Sequence, residues 1–292
     1  MRIRPIHILL FCLLLLITAE LAYTCIMPVG EGSAYLMGTP VRVKVLGVNS
    51  PELAQLGLER ISQLDALFSR FRTNSEVDLI NRFAGQVPVA VSPDTYACIR
   101  QAAAVNQLTN GAFDITLGKP WALELDDKSQ KVFLRDKEAG LDLGGIGKGF
   151  AAEAARCLLL KSGAKSGMID MRSTIAVFGP RTWSVGIQHP RQKGKMLGSV
   201  TLMNGQSLAT SGDYERGRHI IDPLTKQAAD LCQSVTVIGG NAAETDALAT
   251  AICVMGPEQG LQLIEALPNK EVLIIDEQGS MTWSSGFVLE QI

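Results

Sequence analysis

Residues 141–152, LDLGGIGKGFAA, constrain the fold of this chain more than any other stretch. A short apolar segment ending in Asp142 reads as a strand, and the glycines after it open a turn into a helix. Glycines let the backbone turn tightly and come close to a ligand. The first N–H groups of the helix attract negative charge, and Lys148 adds a full positive one. The pattern points to a strand, turn and helix able to hold a phosphate or pyrophosphate, with an ordinary strand-to-helix turn as the alternative. It is neither common phosphate loop: Gly149 stands where a Walker loop places Ser or Thr, and the glycines alternate where a dinucleotide loop needs GxGxxG.

The segment 244–255, ETDALATAICVM, reads as a helix that sets Asp246 and Thr250 four residues apart on one face. A carboxylate, a hydroxyl and a nearby carbonyl suit Mg²⁺ when phosphate oxygens complete its shell. The alternative is capping, with Thr245 or Asp246 as N-cap and Thr250 merely packed. A third segment, from Ser207 to Lys226, holds His219, one of three histidines. Ser211, Asp213 and Tyr214 precede it in a predicted tight turn, and Asp222-Pro223 follows. Imidazole titrates near neutrality, so His219 is a candidate general base, against the alternative of a strand-edge histidine bonding a carbonyl. His7 lies in the apolar N-terminal segment, and His189 precedes Pro190 in a predicted loop.

Six motifs run in order along the chain: MGTPVRVKV, FSRFRTNSEVDLIN, GAFDITLGKPW, DLGGIGKGF, TSGDYER with HIIDP, and ETDALATA. From about Ala34 to the C-terminus their order and spacing resemble the ApbE family, the FAD:protein FMN transferases. The resemblance implies an enzyme that breaks the pyrophosphate of FAD and attaches FMN through a phosphoester to a Ser or Thr of an acceptor protein, releasing AMP with the help of Mg²⁺. It implies FAD contacts at Met37, Phe71, Ala112, Phe113, Asp114, Asp142, Lys148 and Ile220. Metal ligands are implied at Gly145, through its carbonyl, and at Asp246 and Thr250, and the proton acceptor at His219. The implied acceptors are exported electron-transfer subunits carrying a Ser/Thr-Gly-Ala-Ser/Thr-type motif.

The chain departs from the family pattern in one turn. Where relatives carry Gly-Gly-Asp, the stretch MIDMRSTIAVFG places Arg172, Ser173 and Thr174. A carboxylate is gone, and two glycines have become side-chain-bearing residues. Either Arg172 reaches phosphate oxygens on the AMP side, where its planar fork binds well, or the site is partly blocked. Phe71 stands where a hydroxyl-bearing aromatic is common, which keeps stacking and loses a hydrogen bond. Three functions stay open: FMN transferase, metal-dependent FAD pyrophosphatase with water as acceptor, and a catalytically silent FAD-binding protein.

After a basic start comes ILLFCLLLLITA, too short for a membrane span of ~20 residues but suited to a signal-peptide core. Residues 1–25 therefore read as a signal peptide or short anchor. They place the domain of residues 34–292 outside the cytoplasm, in the periplasm or on the outer face of the inner membrane, with membrane association through the N-terminus. The residues before Cys25 make a poor lipid-attachment site. A formal charge of −2 gives no basic footprint, so nucleic acid is not an expected partner. Cys98, Cys157, Cys232 and Cys253 lack zinc-like spacing and read as buried small apolar residues, with a disulfide open to them in an oxidising compartment.

The fold class is α+β, an ApbE-like single compact domain of mostly antiparallel sheet with packed helices. Helices are predicted over 51–68, with Leu53, Leu56, Leu64 and Leu67 on one face, over 95–108 and over 258–266. A polar loop is expected after residue 68. Strands are predicted over 41–48, 131–134, 168–178, 183–188, 198–202, 234–239 and 272–275, with a closing hairpin. No repeat or long linker interrupts the domain.

Overall fold

The computed structural model describes residues 28–213, Gly217 and residues 220–291, and every structural statement below concerns these. The predicted signal or anchor at residues 1–25, His7 and His219 lie outside them. No helix among the described residues is long and apolar enough to cross a membrane.

The chain opens on an antiparallel hairpin, β1 (Val29–Leu36) and β2 (Thr39–Leu46). Met37 and Gly38 close it with φ of 52° and 71°, the double left-handed turn that matches strand twist. β2 begins and ends two residues earlier than predicted, and β1 is unannounced in the sequence reading. α1 (Ser50–Phe68) buries Ala54, Leu58, Ile61, Leu64 and Phe68. Of the predicted leucine face only Leu64 belongs to this stripe; Leu53, Leu56 and Leu67 are half-buried. The helix turns its small residues inward because it lies close to β2: a Cβ at Gly57 would meet Val43 Cγ1 at 3.0 Å.

The predicted polar loop contains a short helix, α2 (Glu76–Arg82), started by Ser75, whose hydroxyl accepts from Asp78 N at 3.0 Å. α3 (Pro93–Leu108) follows a Ser92 cap and leads past Asn110-Gly111, both at positive φ. β3 (Val89–Ala90), β4 (Leu123–Asp126) and β5 (Lys131–Leu134) form a small sheet in the order β3-β5-β4.

The remaining elements are α4 (Gly147–Lys161), β6 (Ser166–Asp170), β7 (Thr174–Phe178), β8 (Trp183–Gln188), β9 (Met196–Leu202), β10 (Ser207–Gly212), β11 (Cys232–Gly239), α5 (Ala242–Met255), α6 (Pro257–Glu265), β12 (Glu271–Asp276) and β13 (Met281–Trp283). The main sheet has eight strands in the order β1-β2-β6-β7-β10-β11-β12-β13, every neighbouring pair antiparallel. The α+β architecture expected from the sequence is the one observed. The predicted single strand over 168–178 is instead two strands. Asp170 Oδ1 accepts from Arg172 N at 2.8 Å and Met171 N donates to Thr174 O at 2.9 Å, so the chain folds back on itself.

Strand alternation sends alternate residues to opposite faces. Ala176 and Phe178 of β7 join the core beneath α1, α4 and α5, whereas Ile175 and Val177 meet the β8–β9 hairpin in a second core with Trp183, Val200 and Phe287. Arg156, 6% exposed, ties α4 to the rest: it donates to the carbonyls of Gly205 and Gly240 at 2.8 and 2.6 Å and pairs with Glu153. Glu153 in turn accepts from Ala242 N at the start of α5, at 3.0 Å.

The described cysteines are free thiols. Cys98, Cys232 and Cys253 are buried as expected, but Cys157 is exposed, because its helix presents that face to solvent. Burial pushes the Cys232 thiol up to about 12 and raises Cys253 as well. In a domain beginning at Ala34, a thiol reagent at pH 8 should therefore modify one cysteine in the folded protein and all four only after denaturation. Mass spectrometry counts the labels; two or more fast labels under native conditions would contradict this packing.

Candidate functional site

A cavity of about 1060 Å³ opens at the rim of the main sheet, where β6 turns into β7. It has two lobes, because its lining comes from both faces of the sheet. One lobe lies on the helix side, among Gly144, Gly145 and Lys148 at the start of α4, Asp246 and Thr250 of α5, and Phe113 from the loop after α3. The other lies on the hairpin side, where Met168, Ile175 and Leu208 of the sheet pack with Val185 and Ile187 of β8, and Ser184, Gln188 and Met196 add to the lining.

Asp246 is the hub of the helix-side lobe. It is 2% exposed, its Oδ2 accepts from Gly149 N at 2.9 Å, and its Oδ1 accepts from Thr174 Oγ1 at 3.1 Å. Lys148 Nζ stands 3.8 Å from Oδ2 and 3.4 Å from the Gly144 carbonyl to which it donates. The capping alternative for Thr245 and Asp246 is set aside: Asn241 caps α5, accepting from Glu244 N at 3.1 Å, and both residues lie inside the helix. Gly149 allows the close approach of the two helices, since a Cβ there would sit 2.2 Å from Ala242 O and 2.7 Å from Asp246 Cβ.

Two expectations for the glycine loop change. Residues 141–143 form no strand and belong to no ladder; instead Leu141 N bonds Asn81 Oδ1 at 2.6 Å and Asp142 N bonds Ile115 O at 2.8 Å. The positive end of α4, with no side-chain N-cap, is already met by an anion, the protein's own Asp246. A phosphate entering this lobe faces a buried carboxylate, and the two tolerate each other only with a cation between them. Lys148 is one such cation.

The oxygens around that point fit a second one. Thr250 Oγ1 donates to Asp246 O at 3.2 Å and lies 3.2 Å from Ser211 Oγ, and a Cβ at Gly145 would meet Thr250 Oγ1 at 3.4 Å. One carboxylate, two hydroxyls and a neighbouring backbone make a hard-oxygen set suited to Mg²⁺ held jointly with phosphate. No group of three or more His, Cys, Asp or Glu that could hold a metal by itself occurs among the described residues.

Thr174, in the turn where the resemblance implies an acid, is fully buried against Asp246. Thr174→Val keeps the shape and leaves Asp246 Oδ1 unpaired, which should cost about 1–2 kcal/mol of stability. Urea unfolding measures this, and an unchanged midpoint would show that the bond contributes nothing.

Of the FAD positions implied by the resemblance, Phe71, Ala112, Phe113, Asp114, Asp142, Lys148 and Ile220 all line the cavity. Met37 does not; it closes the β1–β2 turn and packs its methyl near Gly147, where an added Cβ would meet Met37 Cε at 3.4 Å. Phe71 is 86% exposed at the mouth, with the Arg70 guanidinium 5.0 Å above its ring. Arg70 also donates to Asp142 Oδ2 at 2.8 Å. Asp114 spends its side chain on its own turn, accepting from Thr116 N, Thr116 Oγ1 and Gly118 N at 2.8, 2.6 and 2.6 Å. Lys226 Nζ ties that turn to the 220–228 segment by donating to Leu117 O at 3.0 Å. In that segment burial raises the Asp222 carboxyl, but hydrogen bonds from Leu224 N and Thr225 outweigh it and hold the group below the usual range. Just past β10, Asp213 accepts two bonds from the Arg191 guanidinium, of 2.6 and 2.8 Å.

Sequence reasoning names Thr174 and Ser211 without giving them a role in the site, and it passes over Ser184 and Gln188. Serine and threonine carry no spacing signal of their own, and only sheet pairing brings these residues to the cavity.

The chain matches the model of the ApbE family over residues 37–124 and 119–274. It is 27% identical to an FAD:protein FMN transferase of Klebsiella pneumoniae, over 87% of this chain and 91% of that one. A second, from Treponema pallidum, is 28% identical over 87% and 86%. The crystal structure of the ApbE protein from Thermotoga maritima superposes with a TM-score of 0.81 at 29% identity, covering 88% of this chain and 97% of that one. The flavin transferase ApbE from Vibrio cholerae shares the fold with a TM-score of 0.78 at 24% identity. With its motifs in order along the sequence and its architecture shared with these proteins, the chain belongs to the ApbE family.

Proposed function

We propose that this protein transfers FMN from FAD to the hydroxyl of a Ser or Thr in an acceptor protein, releasing AMP. The observation that carries the reading is the helix-side lobe, where Lys148, Asp246 and Thr250 meet beside Phe113 in a chain akin to FAD:protein FMN transferases.

In the proposed reaction the acceptor oxygen attacks the FMN phosphorus, the P–O bond to the AMP phosphate breaks, and the hydroxyl proton passes to His219. Lys148 stabilises the departing phosphate, held in place by Asp246 and the Gly144 carbonyl. Ser211 and Thr174 fix the oxygens of Thr250 and Asp246, so little reorganisation is needed as charge develops. Mg²⁺ on the Gly145, Asp246 and Thr250 oxygens would supply further neutralisation of the diphosphate. The acceptors fitting this chemistry are exported electron-transfer subunits with a Ser/Thr-Gly-Ala-Ser/Thr-type motif, met outside the cytoplasm after the N-terminal segment directs export.

Intact mass of such an acceptor domain, after incubation with the protein from Ala34 onward, FAD and Mg²⁺, tests the reading. Covalent FMN on the acceptor supports it. Free AMP and FMN with an unmodified acceptor would replace it with the pyrophosphatase, and intact FAD with a binding protein, provided a known relative labels the same acceptor. Chelation of divalent metal should stop labelling and added Mg²⁺ should restore it; labelling that persists in excess chelator would overturn the metal requirement.

A further inference from the structure

Four cationic side chains line the cavity: Arg70, Lys148, Arg172 and Lys226. Three are held by the protein itself, Arg70 by Asp142, Lys148 by Asp246 and Gly144 O, and Lys226 by Leu117 O. The guanidinium of Arg172 makes no hydrogen bond or ion pair with any described residue, although its backbone N–H is anchored on Asp170. Its backbone is also unusual, at φ 67°, a region that favours glycine and disfavours a long side chain. An arginine kept in a disfavoured conformation, exposed and without a side-chain partner among the described residues, is placed for something that enters the cavity.

Its position narrows what that is. Arg172 and Ser173 form the tip of the β6–β7 turn, and the next two residues diverge, Thr174 toward Asp246 on the helix side and Ile175 toward the hairpin core. The turn is therefore the waist of a two-lobed cavity. A ligand filling both lobes, two bulky groups joined by a linker, passes its linker over this turn. Guanidinium binds phosphate oxygens through paired N–H donors and keeps its charge at every working pH.

The geometry points to Arg172 as the residue that grips the diphosphate bridge of a dinucleotide at this waist, selecting ligands with phosphate over their uncharged halves. The inference rests on the FAD reading above. The altered turn then tightens binding of the intact dinucleotide, with a charged contact in place of the backbone ones a glycine turn would offer.

Binding of FAD, ADP, adenosine and riboflavin to the protein and to Arg172→Gly and Arg172→Lys, measured by calorimetry with Mg²⁺ and no acceptor, tests this. Glycine suits φ 67°, so Arg172→Gly keeps the fold and its melting temperature should not fall. The expected result is a loss of about tenfold or more for FAD and ADP in Arg172→Gly, partly restored in Arg172→Lys, with adenosine and riboflavin within about twofold of wild type. Unchanged ADP and FAD affinities would overturn it, as would an equal loss for adenosine or riboflavin, or no binding of ADP by the wild type. The two readings fail separately: wild type that binds FAD and ADP but labels no acceptor refutes the transfer, and Arg172→Gly that binds and labels as wild type refutes the role of Arg172.

Discussion

Asp246→Asn will lower FMN transfer by about 10³-fold while the protein stays folded, and Asp246→Ala will lose both activity and several degrees of melting temperature. The two variants separate the tasks of one carboxylate. As a hydrogen-bond acceptor it joins the start of α4, through Gly149 N, to β7, through Thr174 Oγ1. As a charge it stands beside Lys148 and supplies the only carboxylate among the proposed metal ligands. Asparagine keeps the shape and most of the bonding and removes the charge. Alanine strands two buried donors, at about 1–3 kcal/mol for each. A melting temperature falls by about 2–4 °C per kcal/mol in a domain of this size, so Asp246→Ala should melt about 4–24 °C lower. Steady-state labelling of an acceptor and thermal unfolding together decide it. Near-normal turnover in Asp246→Asn at modest Mg²⁺ would remove Asp246 from the metal site.

Gly149→Ala is expected to be as damaging through geometry alone. The added methyl would lie 2.2 Å from the Ala242 carbonyl, a backbone atom that cannot swing aside, so α4 and α5 must part. Overpacking of this kind costs about 3 kcal/mol or more, or about 6–12 °C in melting temperature. Separation of the helices also draws Gly149 N off Asp246 and moves Lys148, so FAD affinity should fall by at least about tenfold. A variant as stable as wild type would show that the two helices are less closely apposed than described.

These two sites differ in how far the sequence reveals them. The glycine loop, Lys148, Asp246 and Thr250 are legible because local rules govern them: a turn needs glycine, and a spacing of four sets two side chains on one helical face. The partnership of Gly149 with Asp246 spans nearly a hundred residues and has no local signature. Cys157 reads as buried because its helix is apolar nearly all round, and which face turns outward depends on what packs against it. The division of 168–178 into two strands was hidden by its hydrophobicity. Met171 and Ile175 are both buried, so the apolar run continues through a turn marked only by Arg172 and Ser173. The hairpin side of the cavity has no local signature either: Ser184 and Gln188 are ordinary polar residues of a strand until the fold brings β8 to the cavity wall.

The cavity's wrapping around the rim of the sheet has a pharmacological corollary. Two unlinked small molecules, one bound on the helix side and one against the hairpin, are then expected to occupy the site together. A tether short enough to cross the β6–β7 turn makes the second binding event intramolecular, so modest fragments combine into a potent inhibitor. Such a tether carrying an acid to meet Arg172 would favour this protein over any flavin-binding protein without a cation at that crossing, because the distinguishing charge lies there and not in either lobe.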